Sequence, residues 1–289
     1  MSTDFRARIS GRVPRADKLN LLRDIVHLLN EEGGISGKKR LFYKTRRRIS
    51  KPEANFPVQS TFKDYLDIGT KLALFETTLS VARISKKGKH LVGISKFGGT
   101  RLLEPERKFF RSLLLEYRPF RIFLSIGFCD RVAFQSEDEL FRYAGCPTRE
   151  TIMRAYMETK RQDTDREART LLGWSVQIGL VEFDEYYRRH YLTREKEVSL
   201  KSFLNILHKA FLKVREPRTG TALIPEVRFH CCCAGKIKRN IFDSNLMWLY
   251  EDRPSEIQLS RGSASRDEVL KFGIKGKTYY YYYIKLPHA

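Results

Sequence analysis

The residues most suggestive of chemistry are His230 and the consecutive cysteines that follow it, Cys231 to Cys233. Cysteine and histidine are zinc ligands, but a zinc site needs ligands paired at gaps of two to four residues on two segments. Adjacent side chains on a helix point in different directions, so this run does not predict a metal site. We interpret the cysteines as small buried apolar side chains. Five cysteines, an odd number, also do not predict a secreted disulfide framework, and we expect a reducing, intracellular compartment.

Clustered carboxylates offer a second kind of chemistry. Glu182 lies close in sequence to Asp184 and Glu185, and such a group could hold magnesium in a nuclease. The cluster lacks the order of acid, acid and lysine on a strand that such a site requires. No stretch has the glycine and lysine spacing of a phosphate-binding loop. We therefore predict a protein that is not an enzyme and that needs no cofactor.

Cationic side chains dominate the remaining chemistry. The chain has 55 Lys and Arg against 34 Asp and Glu, which gives a net charge of +21, while 42% hydrophobic residues exclude general disorder. A charge this far from zero attracts polyanions. The segment Lys38 to Lys51 holds eight cations and no acid, with Leu41, Phe42 and Tyr43 embedded among them, and we predict an ordered strand or arm that contacts nucleic acid.

Helix and strand patterns show how the chain could position these cations. A helix is predicted from about Ala16 to Glu31 and a second from Thr61 to Thr77. The next residues, LSVARIS, KKGK and HLVGIS, read as strand, turn and strand, although ISKKGKHLV could instead begin a helix. A further helix is predicted over ERKFFRSLLLEY, whereas the segment from Arg118 to Phe128 has no clear assignment.

The stretch from Ser136 to Arg154 predicts helix, tight turn and helix. Ser136 and Glu139 have the spacing of a capping box, and Gly145 with Pro147 ends the first helix. A further helix follows from Thr164 to Ile178, with Gly179 as its stop, and then a hairpin in LVEFDEYYRRHYLT.

The last third of the chain repeats this order. A helix begins after Ser199, a short helix begins at Ile224 and is broken by Gly235, and another runs to about Asp252. EIQLS and KTYYYYYIKL then read as strands, so some of the five tyrosines would be buried and others exposed. The order of helix, turn, helix and hairpin is repeated at spacings near 95 residues without a detectable sequence repeat.

These stretches resemble tandem winged helix-turn-helix proteins. The residues that carry the resemblance are SEDELFRYAGCPTRETIMR, WSVQIGLVEFDEYYRRHYLT and IPEVRFHCCCAGKIKRNIFDSNLMWLY. The resemblance implies an α+β, predominantly α fold of winged-helix units at residues 1–98, 99–196 and 197–289. In that family a helix after the turn lies in the DNA major groove and the hairpin wing contacts phosphate or the minor groove. In the middle unit either Thr148 to Lys160 or Thr164 to Ile178 could be the groove helix.

From this we predict a double-stranded DNA-binding protein in transcription, replication or genome defence. The alternatives are a DNA-recognition subunit or divergent member of a restriction-type nuclease system, and a protein-interaction scaffold in a transcription or replication complex. We expect a cytoplasmic, nucleoid-associated protein with no membrane segment. The predicted nucleic-acid-binding residues are Lys38, Lys39, Arg40, Lys44, Arg46, Arg47, Arg48, Lys51, Lys86, Lys87, Lys89, Arg149, Arg154, Arg166, Arg169, Arg188, Arg189, Lys236, Lys238 and Arg239.

Overall fold

The computed structural model describes most of the chain, and its fold is α+β, predominantly helical, with small antiparallel sheets. The residues described are 16–49, 59–129, 134, 136–160, 165–194, 198–261, 270–274 and 277–287. They fall into two compact units, each made of two chain segments. The first unit comprises Met1–Ser136 and Glu150–Leu180, and the second comprises Glu137–Arg149 and Val181–Ala289.

The first unit begins with helices that pack around a three-stranded sheet. Its elements here are α1 (Leu19–Glu31), β1 (Ile35–Gly37), α2 (Lys38–Ile49), α3 (Gln59–Lys71), β2 (Phe75–Thr77), β3 (Val81–Ile84) and α4 (Lys86–Ile94). The strands are antiparallel in the order β1-β3-β2, so that Arg83 lies between Ile35 and Glu76. The face of α1 that carries Leu22, Ile25 and Leu29 is buried in the core.

Four more helices belong to the described part of the first unit. They are α5 (Glu104–Glu116), α6 (Arg118–Cys129), α8 (Arg149–Lys160, whose first residue belongs to the second unit) and α9 (Arg166–Gln177). Their core includes the fully buried Phe110, Phe123 and Trp174. The indole Nε1 of Trp174 donates a hydrogen bond of 2.6 Å to the carbonyl oxygen of Ala16, which ties α9 to the start of α1.

The described residues of the second unit form four helices and three small sheets. Its helices are α7 (Glu137–Tyr143), α10 (Leu200–Val214), α11 (Ile224–Gly235) and α12 (Arg239–Asp252). Its strands are β4 (Val181–Asp184), β5 (Arg189–Leu192), β6 (Ala222–Leu223), β7 (Gln258–Ser260), β8 (Leu270–Ile274), β9 (Lys277–Tyr281) and β10 (Tyr283–Lys285). The sheets have the orders β4-β5, β6-β10-β7 and β8-β9. Phe203, Phe211 and Phe242 lie at the centre of the core.

Two parts of the chain share one order of elements. The order helix, strand, helix, helix, strand, strand is seen from α1 to β3 and again from α10 to β10, where the hairpin β8-β9 is inserted before the last strand. In both sheets the last strand lies between the other two. The sequence predicted a repeated order of elements in three winged-helix units. The division into two compact units does not test whether the chain consists of winged-helix units. The division into three winged-helix units therefore remains a prediction.

The prediction of a strand or arm from Lys38 to Lys51 is wrong for the described residues, because Lys38–Ile49 is a helix. Leu41 and Thr45 are four residues apart and fully buried on one helical face. Long unbranched Lys and Arg side chains are good helix formers, so the intrinsic preferences of these residues allow this conformation. Lys51 lies outside the described residues.

The second predicted helix and the hairpin after it also need correction. The helix ends at Lys71 rather than Thr77, and Ala73 takes a positive φ of 55° before the chain enters β2. The strand predicted over HLVGIS is instead helix α4, as the alternative interpretation allowed. Ser85 caps this helix, since its Oγ accepts the amide of Gly88 at 3.1 Å. The unassigned segment from Arg118 is helix α6.

Other predicted elements are confirmed. Helices α7 and α8 lie where the helix-turn-helix stretch was predicted. However, α7 belongs to the second compact unit, whereas most of α8 belongs to the first. Ser199 caps α10 through the amide of Ser202. Helix α11 ends at Gly235, and the hairpin β4-β5 is present. No described helix combines the length and the apolar composition needed to cross a bilayer.

Candidate nucleic-acid interface

Helix α2 carries the densest group of cations in the described chain and is anchored by its opposite face. Leu41 and Thr45 are fully buried, and the Thr45 hydroxyl donates to the carbonyl oxygen of Leu41 at 2.7 Å. Phe42 packs edge-to-face on Phe62 of α3, with ring centroids 5.3 Å apart. These contacts fix which side of the helix faces solvent.

One edge of α2, which we call the paired edge, consists of Arg40, Lys44 and Arg48. Glu32, just after α1, lies 2.6 Å from Arg40 Nε and 2.8 Å from Lys44 Nζ. Glu31 lies 3.2 Å from Lys44 Nζ and 3.5 Å from Arg48 Nη2. The hydrogen bond from Lys44 lowers the pKa of Glu32, and the same bond raises the pKa of Lys44.

The other exposed part of α2, which we call the open stripe, consists of Lys39, Tyr43, Arg46 and Arg47. All four side chains are exposed, Tyr43 to 61%. Within the part of the chain that the structure describes, no acidic side chain forms an ion pair with its three cations. At a rise of about 1.5 Å per residue, the stripe spans ~12 Å along the helix. It is therefore a continuous cationic surface with an aromatic ring at its centre.

Charge is also distributed unfavourably at the start of α2. The first turn contains no acidic residue, and it contains Lys38, Lys39 and Arg40. A cation near the positive end of a helix dipole is destabilising by ~0.3–1 kcal/mol at an exposed site, whereas Arg46 to Arg48 in the last turn are favourable. A bound anion would remove the unfavourable term at the first turn.

The lysines predicted to lie in a wing turn are instead on helix α4. Lys86, Lys87 and Lys89 are exposed there, and Lys87 Nζ lies 3.1 Å from a carboxylate oxygen of Glu116. The connection between β2 and β3 contains no cation and has a fully exposed Leu79. The basic wing predicted for this part of the chain is therefore absent from the described residues.

The predicted arginines on α8 and α9 are exposed. Arg149 and Arg154 lie on α8, and Arg166 and Arg169 lie on α9. Arg169 pairs with Asp165 at 2.6 Å.

The predicted cations of the second unit have mixed environments. Arg188 is exposed at a φ of 54°, and Lys238 is half-buried at the start of α12. Arg189 donates to the carbonyl oxygen of Cys146 at 3.2 Å. Lys236 is buried, and its Nζ lies 2.6 Å from the carbonyl oxygen of Ala144. Arg239 lies 4.0 Å from Asp243.

The carboxylates considered for nuclease chemistry make structural hydrogen bonds. Glu182 Oε2 accepts from the Tyr191 hydroxyl and from the amide of Arg239, both at 2.8 Å. Asp184 accepts the amide of Tyr187 at 2.8 Å, and burial raises the pKa of this carboxyl. Among the described residues, no group of three or more His, Cys, Asp or Glu side chains is arranged to hold a metal ion.

The cysteine interpretation is confirmed for two residues and wrong for a third. Cys231 and Cys232 are buried, and burial raises the pKa of Cys231 to about 12. Cys233 instead forms a disulfide with Cys146, with Cα atoms 6.4 Å apart. The odd number of cysteines argued against a disulfide framework. The two paired cysteines are 87 residues apart, so no local sequence pattern indicates their pairing.

Sequence reasoning also missed Glu31 and Glu32 as determinants of the interface. They were read only as the end of a helix. The signal available was their position just before a basic segment, but their pairing depends on α2 folding back beside α1.

Comparison of the chain with protein-family models, with curated proteins and with solved structures gave no match.

Proposed function

We propose that the protein binds double-stranded DNA and that the open stripe of α2 contacts the phosphate backbone. The observation that carries this proposal is the sorting of cations on α2. Glu31 and Glu32 neutralise one edge, while Lys39, Arg46 and Arg47 remain exposed with no ion-pair partner among the described residues. When cations without an ion-pair partner contact phosphates, they displace the counterions that are condensed on the DNA. This release of counterions is the main source of sequence-independent affinity.

The dimensions of the stripe fit this role. Its span of ~12 Å along the helix is comparable to the width of about 12 Å of the major groove of B-DNA. Tyr43 lies between the cations, where its hydroxyl can donate to a phosphate oxygen. The chain's net charge of +21 adds long-range attraction to any polyanion.

We also propose that the two parts of the chain from α1 to β3 and from α10 to β10 are winged-helix units, and the repeated order of elements supports this. In both parts of the chain two helices are followed by two strands that pair antiparallel, and in the second part the hairpin β8-β9 is inserted between these strands. By the resemblance, the helix after the turn would face a groove, which corresponds to α3 and α12. Their exposed Gln59 and Asn240 are of the residue types that pair with adenine edges. Phosphate contact by α2 and base contact by α3 would then be separate tasks.

Two triple variants test the proposal. Substitution of Lys39, Arg46 and Arg47 by Gln removes the open stripe, and substitution of Arg40, Lys44 and Arg48 by Gln removes the paired edge with the same change in net charge. Fluorescence anisotropy with a duplex of mixed sequence, from 50 to 200 mM salt, measures the affinity and its salt slope. We expect the first variant to make the slope shallower by up to ~3, because each phosphate contact contributes about 0.9. The paired-edge variant should change it less.

Equal effects of the two variants would contradict the assignment of phosphate contact to the open stripe. An affinity that does not depend on salt would contradict nucleic-acid binding altogether. Matched single-stranded DNA and duplex RNA complete the series, and tighter binding of either would overturn the choice of double-stranded DNA.

A further inference from the structure

The disulfide Cys146–Cys233 lies at the surface of the second unit. Cys146 is in the connection after α7, and Cys233 is near the end of α11. Both residues are half-buried rather than enclosed, unlike Cys231 and Cys232 beside them. A thiol from solution can therefore reach this disulfide, whereas the two neighbouring thiols are shielded.

An open cleft of about 840 Å³ is lined by both disulfide cysteines. Four cationic side chains also line it, and Asp138 is the single carboxylate among its lining residues; the cations are Arg142, Arg194, Lys213 and Lys236. Arg194 lies 3.3 Å from Asp138 and stacks over the ring of Phe141 at 4.7 Å. Burial lowers the pKa of His230, so this lining residue is neutral near pH 7. The cleft therefore carries a net positive charge.

The connection that contains Cys146 is held from several directions. Lys236 Nζ donates to the carbonyl oxygen of Ala144 at 2.6 Å, and the amide of His190 donates to the carbonyl oxygen of Pro147 at 2.9 Å. Arg189 donates to the carbonyl oxygen of Cys146 itself. Lys236 thus holds the connection beside the end of α11, and Arg189 and His190 hold it beside β5, independently of the covalent link. The disulfide can therefore open without the cleft being lost.

We propose that this cleft is a site of thiol–disulfide exchange with small anionic thiols, of the class of carboxylate-bearing peptide thiols. A positive cleft concentrates anions and raises their rate of encounter, and the attacking species in exchange is itself a thiolate. This site is independent of the open stripe of α2 and of the proposed DNA binding.

The reaction balances with two thiols. The first thiolate sulfur bonds to one cysteine sulfur as the Cys146–Cys233 bond breaks, and the other cysteine leaves as a thiolate. A second thiolate attacks the small-molecule sulfur of this mixed disulfide and displaces the remaining cysteine thiolate. Overall the protein disulfide is reduced to two thiols, each taking up one proton, and two small thiols are oxidised to one disulfide.

The test begins with a count of thiols in the folded protein purified without reductant. Alkylation in denaturant followed by mass spectrometry should find three free thiols, at Cys129, Cys231 and Cys232. Reduction rates are then measured with glutathione, 2-mercaptoethanol and cysteamine, which are anionic, neutral and cationic. Each rate constant is expressed per thiolate and divided by that of the same thiol with hydroxyethyl disulfide, which removes differences in intrinsic reactivity.

We expect glutathione to be favoured over 2-mercaptoethanol by about tenfold or more at low ionic strength, and cysteamine to be disfavoured. The preference should shrink as salt is added. The double variant Arg142→Gln, Lys213→Gln alters two exposed side chains and should lower the glutathione rate while leaving the 2-mercaptoethanol rate unchanged. Equal normalised rates for the three thiols would overturn the proposal, as would five free thiols in the protein before reduction.

Discussion

At the scale of single residues, ion pairing decides which of the 55 Lys and Arg can meet a ligand. Arg23 is an extreme case, because it is 1% exposed and lies 2.8 Å from Asp24 and 3.3 Å from Glu106. Such a buried cation contributes to the formal charge and holds the fold, but it cannot contact phosphate. The same distinction separates the two edges of α2.

His27 should make the stability of the first unit depend on pH. Burial lowers the pKa of this imidazole below its ordinary value of 6.5, and its Nε2 lies 2.7 Å from Ser95 Oγ. The unfolded chain therefore binds a proton more readily than the folded chain, so the free energy of unfolding falls as the pH drops below 6.5. The charged groups that also act on His27 are Asp24, Arg23, Glu106 and Glu31.

Urea unfolding at pH 7.5, 6.5 and 5.5 measures this dependence. We expect His27→Gln to flatten it, and the exposed His208→Gln to leave it unchanged. His230 lies in the second unit, where burial also lowers its pKa, so it should make the stability of that unit depend on pH with the same sign. A steeper slope in His27→Gln would show that the sign is wrong.

At the scale of elements, close packing rather than helix propensity fixed helix α4. A Cβ atom at Gly88 would overlap the carbonyl oxygen of Leu74, whereas nothing lies within 4 Å of a Cβ atom at Gly93. The KKGK segment looked like a turn because it contains glycine. The glycine is needed instead for the close approach of α4 to the chain before β2.

These two glycines provide a matched pair of variants in one helix. We expect Gly88→Ala to lower the free energy of unfolding by about 1–3 kcal/mol, because the backbone must shift to admit the methyl group. Gly93→Ala should raise it by up to ~1 kcal/mol, since alanine is the better helix former. Chemical denaturation measures both values. If α4 were the strand of a hairpin, this contrast between the two variants would not be expected.

At the scale of the whole molecule, the two compact units each contain one of the two tryptophans. Trp174 is buried in the first unit, and Trp248 is 42% exposed in the second. The disulfide Cys146–Cys233 joins two segments of the second unit. Its loss should therefore affect the second unit first.

Variants with a single tryptophan can follow each unit separately. In Trp174→Phe the signal comes from Trp248, and we expect reductant to lower the stability that it reports by ~2–5 kcal/mol, the usual effect of removing a native disulfide. In Trp248→Phe the signal comes from Trp174 and should shift less. Denaturant titration with and without reductant makes the comparison. Equal shifts would show that the chain unfolds as one cooperative body.

Much of the architecture could be predicted from local sequence. Apolar residues at helical spacing predicted α1, α5 and α10, a serine marked the start of α10, and Gly179 and Gly235 marked helix ends. Alternating residues predicted the hairpin β4-β5. These signals lie within a few residues of one another, and the physical preferences that they express do not depend on distant partners.

The sequence by itself determined the predominantly helical content and the excess of positive charge. Tertiary structure decided that the basic segment is a helix, because burial of Leu41 and Thr45 outweighed a local pattern that also suited a strand. It also decided which cations of that helix are neutralised and which cysteines pair, since Glu31, Glu32 and Cys146 meet their partners only after the chain folds back. Contacts between distant residues depend on the whole fold, so no local pattern encodes them.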